Sequence, residues 1–297
     1  MSRARGRPGT PRAGLVVERP GLLSTVQDLG RPGLAHLAVP RSGAVDPDSL
    51  RLANRLVGNP ESAAGLETTL LGVDLRLTAG RWVAVTGAPG ALAVDERAVD
   101  PDRPVYLPAD RLLRIGPADR GVRRYLAVGG GLAVPPVLGS RATDLLSGLG
   151  PPPLTAGSRL PLGDPAGPPA AVDLAPRPGI PVELRLRILP GPRDDRFTAA
   201  AIAGLPETAY EVSPASNRIG LRLTGPALTA ADRTELHSEG MVLGSVQVPP
   251  NGQPIIFLAD HPTTGGYPVI GVVHPDDMWR VGQARPGSTV RFRWHRR

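Results

Sequence analysis

Residues 251–268 read Asn-Gly-Gln-Pro-Ile-Ile-Phe-Leu-Ala-Asp-His-Pro-Thr-Thr-Gly-Gly-Tyr-Pro. The Asn251-Gly252 pair is typical of a tight turn, and the apolar run at 255–259 that follows it predicts a short strand. Ionisable and hydroxyl side chains and a Gly-Gly bend come next, at Asp260, His261, Thr263, Thr264, Gly265, Gly266 and Tyr267. Adjacent glycines allow the backbone to approach a ligand closely. The stretch therefore predicts either a plain hairpin with a polar turn or one wall of a binding site.

Similar short segments elsewhere predict further strands. Apolar and charged residues alternate over 182–188 and 290–294, a period of two that is typical of half-buried strands. Apolar runs at 82–86 and 125–128 have strand length. The 37 glycines and 36 prolines favour turns over long helices. We therefore expect an all-β fold with few short helices.

Two short helices are predicted within this fold. Asp46 precedes a proline and a second acidic residue, which is the pattern of an N-cap and first turn, and a Gly-Asn-Pro sequence at 58–60 ends the helix. The second helix runs from about residue 276 to 283. Asp46 has another interpretation, because a helix N-terminus with Ser42 nearby can also bind an anion.

The 297 residues suffice for two domains. We predict a disordered basic tail at 1–13 and an N-terminal β domain at 14–150. A proline-rich connection then covers 151–181, and a C-terminal β domain covers 182–297.

Two residue types are missing from the chain. The absence of cysteine excludes disulfides and thiolate chemistry, and it fits a reducing cytoplasm. All 34 basic residues are arginine, which excludes a Schiff-base lysine, a lysine that carries biotin and a Walker-type phosphate lysine. If ATP takes part, a partner chain must supply much of its binding. The 5 histidines lack metal-ligand spacing, so no metal site is predicted.

The net charge of +7 suggests a nucleic-acid partner at first sight. Arginines 3, 5, 7 and 12 of the predicted tail account for much of this excess, however, and aromatic residues make up only 3 % of the chain. Base-stacking platforms are therefore scarce, and we expect no nucleic-acid partner. No run approaches the ~18 apolar residues of a membrane span, and no signal-peptide core follows the basic start. A cytoplasmic protein is expected.

Several polar residues outside the opening stretch are candidates for a site. Arg218 carries a planar fork that suits a carboxylate or phosphate, and Asn217 offers both a donor and an acceptor to an amide. Both residues also fit a surface role. Glu67 lies in an apolar run and needs a partner if it is buried.

Motifs in both halves, taken in chain order, resemble one family. The matching pieces lie at 25–28, 30–31, 42–46, 53–54, 56–59, 66–70, 125–131, 134–140 and 143–145, and then at 216–223, 247–249, 251–255 and 263–268. In this order they resemble the biotin-dependent carboxyltransferase-like proteins known as KipA or the 5-oxoprolinase C subunit, which are similar to allophanate hydrolase subunit 2 and to a segment of urea carboxylase. The family often has glutamine where this chain has Pro262 before Thr-Thr-Gly-Gly-Tyr-Pro.

The resemblance implies two tandem cyclophilin-like β-barrel units and activity in a heteromeric complex. Its partners would be a KipI-like protein and a LamB/YcsF-like protein. The complex would open 5-oxo-L-proline to L-glutamate with ATP hydrolysis, with ATP and Mg²⁺ bound together with the partner proteins and no biotin on this chain. Two alternatives stay open. The chain could be a KipA-like regulator that antagonises a KipI-type histidine-kinase inhibitor, or a carboxyltransferase component that acts on urea or a related amide.

Roles in an amide-activating site follow from residue type and motif membership. Asn217 and Gln247 would hold the two edges of the amide, and Arg218 would hold a carboxylate or phosphate. Asp260 or His261 would move protons. Substrate contacts are also expected from Thr263, Thr264, Gly265, Gly266 and Tyr267. Partner contacts or supporting contacts are expected from Gln27, Asp28, Arg31, Ser42, Asp46, Asn54 and Glu67.

Overall fold

The computed structural model describes residues 13–232 and 234–295, so all of the predicted tail except Ala13 lies outside the described residues. The strands are β1 (Gly14–Arg19), β2 (Leu23–Gln27), β3 (Gly65–Thr69), β4 (Val73–Leu77), β5 (Arg81–Gly87), β6 (Leu92–Val94), β7 (Arg97–Ala98), β8 (Val105–Leu107), β9 (Leu112–Ile115), β10 (Arg123–Val128), β11 (Arg159–Pro161), β12 (Glu183–Pro190), β13 (Ala209–Val212), β14 (Gly220–Thr224), β15 (Glu239–Gly240), β16 (Ser245–Gln247), β17 (Ile255–Phe257), β18 (Thr264–Gly265), β19 (Val269–Val273) and β20 (Thr289–Trp294). The α-helices are α1 (Pro47–Leu56), α2 (Ala199–Gly204) and α3 (Met278–Gly282).

The N-terminal half consists of two sheets packed face to face. A six-stranded sheet has the order β11-β1-β4-β9-β6-β7, and a five-stranded sheet has the order β2-β3-β10-β5-β8. The alternation of apolar and charged residues along a strand shows which face of the sheet lies against the core. In β4 the apolar residues Val73, Leu75 and Leu77 are fully buried, while the charged residues between them are half-buried. These side chains join Leu66 and Leu126 of the other sheet in one apolar core.

The C-terminal half is a closed barrel with the strand order β12-β19-β16-β17-β14-β13-β20. Strands β12 and β20 pair in parallel and place Leu184 opposite Val290 and Leu186 opposite Phe292. All four side chains point into the barrel core. The strands predicted at 182–188 and 290–294 are confirmed, and so is the all-β class with few short helices. In the N-terminal half the strands form two sheets.

Helix α1 begins as predicted. The carboxylate of Asp46 accepts hydrogen bonds from the backbone N–H of Ser49 at 3.1 Å and from its hydroxyl at 2.6 Å. Ala53 and Leu56 then pack on the five-stranded sheet. The second predicted helix is present as a 3-10 turn, Pro275–Asp277, followed by α3. Helix α2 was not predicted, because its alanine-rich sequence shows no apolar periodicity.

The proline-rich segment at 151–181 contains β11, which pairs antiparallel with β1 and so extends the six-stranded sheet. The sheets of the N-terminal half therefore reach Pro161, and the barrel begins at Glu183. The domain boundaries given by the sequence stay a prediction. Within the described ranges, no helix is long and apolar enough to span a bilayer.

Candidate functional site

The opening stretch forms a strand and a loop at one end of the barrel. Strand β17 covers 255–257, the first part of the predicted run, and its Asn251-Gly252 turn places Gly252 at a φ of 73°, where glycine is favoured. After β17 the chain is buried through His261. It then emerges into β18, which pairs with β15 to form a small two-stranded ribbon.

Arg218 and Asp260 meet in the buried part of this region. The Nε and Nη2 atoms of Arg218 donate to the two carboxylate oxygens of Asp260, each at 2.9 Å. The Nη1 atom donates to Glu67, which lies on β3 of the N-terminal half. The Nη2 atom also donates to the carbonyl of Gly43 at 2.7 Å. One guanidinium therefore joins two carboxylates from different halves of the chain.

Glu67 is enclosed by donors on all sides. Its Oε2 atom accepts hydrogen bonds from the backbone N–H of Val45 at 3.0 Å and from the hydroxyl of Tyr125 at 2.7 Å. The Nε atom of Arg123 lies 3.4 Å from its Oε1 atom. Burial alone raises the pKa of Glu67, but the positive charges of Arg218 and Arg123 outweigh it and lower the pKa below its usual value. Glu67 is therefore ionised at neutral pH.

Arg218 responds to the same surroundings in the opposite sense. It is 1 % exposed, and burial lowers its pKa. The negative charges of Glu67 and Asp260, with the hydrogen bonds that they accept, more than offset this and raise the pKa of Arg218. The three charged side chains therefore stabilise one another in a network that is buried from solvent.

The segment at 42–46 runs between the two halves. The hydroxyl of Ser42, a residue with a φ of 52°, donates to Asp260 Oδ1 at 2.7 Å. The Oδ2 atom of Asp46 accepts a hydrogen bond from Gln283 of the barrel at 2.9 Å. Burial raises the pKa of Asp46, although the hydrogen bonds from Ser49 and Gln283 oppose the shift. Because the carboxylate of Asp46 caps α1 itself, it occupies the place that an external anion would take.

Gln27, Asp28 and Arg31 fix a second segment, 140–145, against the first. The amide of Gln27 donates to the carbonyl of Thr143 at 3.0 Å, and the Nη2 atom of Arg31 donates to that of Ala142 at 2.7 Å. The carboxylate of Asp28 accepts hydrogen bonds from the Ser140 hydroxyl and the Arg141 backbone N–H, both at 2.6 Å. The last residue of this segment contacts the ionic network, since the backbone N–H of Leu145 donates to the carboxylate of Asp260 at 3.1 Å.

His261 lies beside this network, 7 % exposed. Its Nδ1 atom is 2.7 Å from the carbonyl of Pro262, and its ring stacks on Phe257 with centroids 5.8 Å apart. Burial lowers its pKa, while the hydrogen bond to the Pro262 carbonyl and the charge of Asp260 partly oppose that shift. The imidazole is therefore neutral at pH 7.

Two predicted residues lie apart from the network and bond to the backbone near them. Asn217 is exposed, and its side-chain oxygen accepts hydrogen bonds from the N–H groups of Ile219 at 2.8 Å and Gly220 at 3.2 Å. Asn54 lies in α1, and its amide donates to the carbonyl of Ala63 at 2.8 Å.

Gln247 lies beneath the Gly-Gly bend. Its Nε2 atom donates to the carbonyl of Tyr267 at 3.3 Å. A Cβ atom on Gly265 would stand only 2.6 Å from the same nitrogen, so glycine leaves room there for the glutamine amide. Thr264 is exposed and Tyr267 is 48 % exposed. Gln247 and the bend thus form a unit of their own, separate from the buried network.

A pocket of about 330 Å³ opens beside this bend. Phe197, Leu228 and Val248 form its apolar floor, and Gly266, Tyr267 and Pro268 form one wall. Arg196, Asp232, Thr234 and Glu235 supply polar groups at its rim. The Nη1 atom of Arg196 is 2.7 Å from Asp232 Oδ2 and 2.7 Å from the Thr234 hydroxyl. An apolar floor with a few polar groups is typical of a small-molecule site.

Sequence reasoning missed three residues that complete the region. Gln283 accepts hydrogen bonds from the N–H groups of Val122 and Arg123 at 3.1 and 2.9 Å while it donates to Asp46. Tyr125 and Arg123 both contact Glu67. Tyr125 lies in a predicted strand, but tyrosines are common in strands, so its position did not indicate a contact with Glu67. Gln283 carried no signal, because a single glutamine at the end of a short helix is common.

The described residues contain no group of three or more histidine, cysteine, aspartate or glutamate side chains placed to hold a metal ion.

The fold and the site define an all-β protein in which a closed barrel and a pair of sheets share one buried ionic network. The chain belongs to the family of carboxyltransferase domains, subdomain A and B, whose family model matches residues 37–294. It is 38 % identical over 284 residues to the 5-oxoprolinase C subunit of Escherichia coli K12, in a match that covers 94 % of this chain and 90 % of that protein.

Solved structures show the same relationship. The crystal structure of the protein TTHA0988 has a TM-score of 0.87 and 39 % identity, and the match covers 96 % of this chain and 56 % of that one. The crystal structure of the K. lactis urea amidolyase has a TM-score of 0.88 and 30 % identity, and the match covers 96 % of this chain and 19 % of that one. This chain therefore spans little more than half of the first structure and a fifth of the second.

Proposed function

We propose that this chain is the C subunit of an ATP-dependent 5-oxoprolinase complex, which opens the lactam ring of 5-oxo-L-proline to give L-glutamate. The supporting observation is its 38 % identity with the E. coli protein across 94 % of this chain and 90 % of that protein. A match of this extent spans both halves of the fold. The proposal includes a cytoplasmic location and two partners, a KipI-like protein and a LamB/YcsF-like protein. Because this chain has no lysine, ATP and Mg²⁺ would bind with the help of those partners.

In this proposal, the pocket beside Tyr267 is the part of the amide-binding site that this chain contributes to the complex. Its apolar floor suits the methylene groups of a five-membered lactam. Arg196, which pairs with Asp232 at the rim, would bind the substrate carboxylate by exchanging that partner. Its volume of about 330 Å³ lies at the lower end of the range, about 300–1,000 Å³, that is usual for small-molecule sites. Gln247 would set the shape of the wall through its hydrogen bond to Tyr267.

The catalytic roles that the sequence predicts for Arg218 and Asp260 stay predictions. These residues are 1 % and 0 % exposed, and each is bonded to the other. A substrate would reach them only if the two halves moved apart. In the present arrangement their proposed role is positioning: Asp260 fixes the start of the loop that ends in the Gly-Gly bend, and Arg218 fixes Asp260. His261 is less enclosed and stays the predicted proton carrier.

Reconstitution with the KipI-like and LamB/YcsF-like homologues tests the function. We expect L-glutamate and ADP to form only when all three proteins, 5-oxo-L-proline and ATP are present. An intact three-protein complex that hydrolyses no ATP in response to 5-oxo-L-proline would contradict the proposal.

A second candidate is a carboxyltransferase component that acts on urea or a related amide. The resemblance to the urea amidolyase structure supports it, at 30 % identity over 96 % of this chain. This chain has no lysine to carry biotin, so this candidate requires a biotin-bearing partner. The same assay with urea in place of 5-oxo-L-proline, and with a biotin carboxylase, its biotin carrier and bicarbonate added, distinguishes the two functions. Urea-dependent ATP hydrolysis would favour this candidate, and its absence would favour the 5-oxoprolinase.

A further inference from the structure

A second and larger cleft, of about 880 Å³, lies on the outer wall of the barrel. It shares no lining residue with the pocket beside Tyr267. Five arginines line it, together with three carboxylate side chains: Arg185, Arg187, Arg280, Arg291 and Arg293, with Glu183, Glu207 and Asp277. Neither the predicted site nor the proposed function uses these residues.

The arrangement of the arginines follows from the pairing of β12 with β20. The two strands run parallel, with Arg185 opposite Arg291 and Arg187 opposite Arg293. Because their apolar neighbours fill the barrel core, the arginine side chains emerge together on the outer face. Like charges directly opposite one another destabilise a sheet unless counter-charges are present.

Asp277 supplies part of that counter-charge from a buried position, 1 % exposed. Its carboxylate accepts hydrogen bonds from the Nε and Nη2 atoms of Arg187, at 2.9 and 3.0 Å, and also binds Arg280. The backbone N–H of Arg187 donates to the same carboxylate at 2.9 Å. Two guanidinium groups are therefore held in fixed positions before any ligand arrives, which lowers the entropy cost of binding. Asp277 occupies the Nε and Nη2 atoms of Arg187, so this arginine presents its Nη1 atom to a ligand.

The remaining carboxylates do not neutralise the cleft. Glu183 lies 2.8 Å from Arg185 and 3.8 Å from Arg291, so two arginines share it. Asp276 reaches Arg187 at 3.3 Å, but it is 71 % exposed at the rim. Among the residues that the structure describes, no carboxylate lies within ion-pair distance of Arg293, which is exposed. Glu207 is the third carboxylate of the lining, so five arginines face three lining carboxylates and Asp276 at the rim. The cleft therefore keeps an excess of one positive charge around a fixed pair of guanidinium groups.

We propose that this cleft binds an oligophosphate anion. Planar guanidinium forks bind phosphate oxygens in pairs, and several forks on one face suit a chain of phosphates better than a single carboxylate. The anion could come from free oligophosphate or from the phosphate chain of a nucleoside triphosphate. The inference does not depend on the 5-oxoprolinase assignment, since it uses none of the residues of that site.

Isothermal titration calorimetry of the full chain with sodium tripolyphosphate, at fixed ionic strength, tests the proposal. We expect saturable binding at one site. Arg293→Gln should raise the dissociation constant at least about tenfold, which corresponds to the loss of roughly one charge-assisted hydrogen bond. Arg55→Gln, an exposed arginine on α1 with its own ion pair, is the matched control and should bind as the unaltered chain does.

ATP in place of tripolyphosphate separates the two sources of the anion. Tighter binding of ATP would identify a nucleotide, and equal or weaker binding of ATP would identify the oligophosphate alone. The absence of saturable binding to either, or equal weakening by Arg293→Gln and Arg55→Gln, would overturn the proposal. Arg293→Gln removes an exposed side chain, so the variant should unfold at the same denaturant concentration as the unaltered chain, and this is measured alongside.

Discussion

Arg218 and Glu67 form a buried ion pair although they lie 151 residues apart in the chain and in different halves of the fold. Arg218 also bonds Asp260 through two of its nitrogens, each at 2.9 Å. Burying three charges is costly, so a network of this kind adds little net stability compared with apolar packing. Its geometry does, however, fix how the barrel lies against the sheets, and it fixes where the loop after Asp260 begins.

Replacing Arg218 by methionine should destabilise the chain by about 3–5 kcal/mol, because buried Asp260 loses its counter-charge and buried Glu67 keeps Arg123 alone, at 3.4 Å. The free energy of unfolding in urea measures this. Arg185→Met is the matched control, since Arg185 has an ion pair but an 81 % exposed side chain, and it should leave unfolding unchanged. A loss in Arg218→Met no larger than in the control would show that the network does not hold the halves together.

Adding Glu67→Gln to Arg218→Met should restore part of the lost stability. Glutamine keeps the shape of the side chain but removes one of the two stranded negative charges. The double variant is compared with both single variants by urea unfolding. If the two losses simply add, Arg218 and Glu67 are not coupled, in conflict with their contact.

Acid should weaken the fold through Glu67. Its pKa is lowered in the folded state below the ordinary 4.5, so the unfolded chain binds the proton more readily. The stabilisation is therefore complete above about pH 4.5 and is lost as the pH falls through the folded pKa. Glu67→Gln should be less stable at pH 7 but should lose stability less steeply below pH 4.5, by up to about 1.4 kcal/mol per pH unit. Parallel curves of unfolding free energy against pH would contradict this assignment.

Local signals made the main elements of the fold predictable. The period of two in β12 and β20 and the Asp46-Pro47 start of α1 each act within a few residues of the chain. The order of strands in the barrel was not readable in this way, because the parallel pairing of β12 with β20 joins distant segments. For the same reason, the grouping of the N-terminal strands into two sheets was not readable from local sequence.

The sequence predicted which residue types belong to the site, but it predicted few of the contacts that they make. Glu67 in an apolar run required a buried partner, but nothing local shows that the partner is Arg218. Asn217 carried the right groups for an amide, yet its oxygen bonds two nearby backbone N–H groups. Nearby backbone groups and distant ligands compete for hydrogen bonds with a side chain such as that of Asn217, and tertiary packing decides which of them binds it.

The two glycines of the bend should differ in their tolerance of alanine. A Cβ at Gly265 would stand 2.6 Å from Gln247 Nε2, whereas the nearest atom to a Cβ at Gly266 is 3.5 Å away. Gly265→Ala should displace the glutamine amide, break its hydrogen bond to Tyr267 and cost about 1 kcal/mol. Gly266→Ala, at ordinary contact distance, is the control and should unfold as the unaltered chain does. Equal effects of the two alanines on urea unfolding would show that Gln247 does not support the bend.

The pocket beside Tyr267 can be filled without altering the buried network. Ala230 is half-buried and lines the pocket, so Ala230→Phe should place a ring in the space proposed for the lactam. Ala227 is exposed in the same segment and lines no part of it, which makes Ala227→Phe the matched control.

In the reconstituted complex we expect Ala230→Phe to raise the KM for 5-oxo-L-proline at least about tenfold, since a blocked site loses ground-state binding first. The KM for ATP should change little, because the pocket is proposed to hold the amide and not the nucleotide. Ala227→Phe should leave both constants unchanged. Unaltered kinetics in Ala230→Phe would place the amide elsewhere. If that variant assembles and unfolds normally and the complex turns over 5-oxo-L-proline with an unchanged KM, the pocket assignment fails while the 5-oxoprolinase assignment stands.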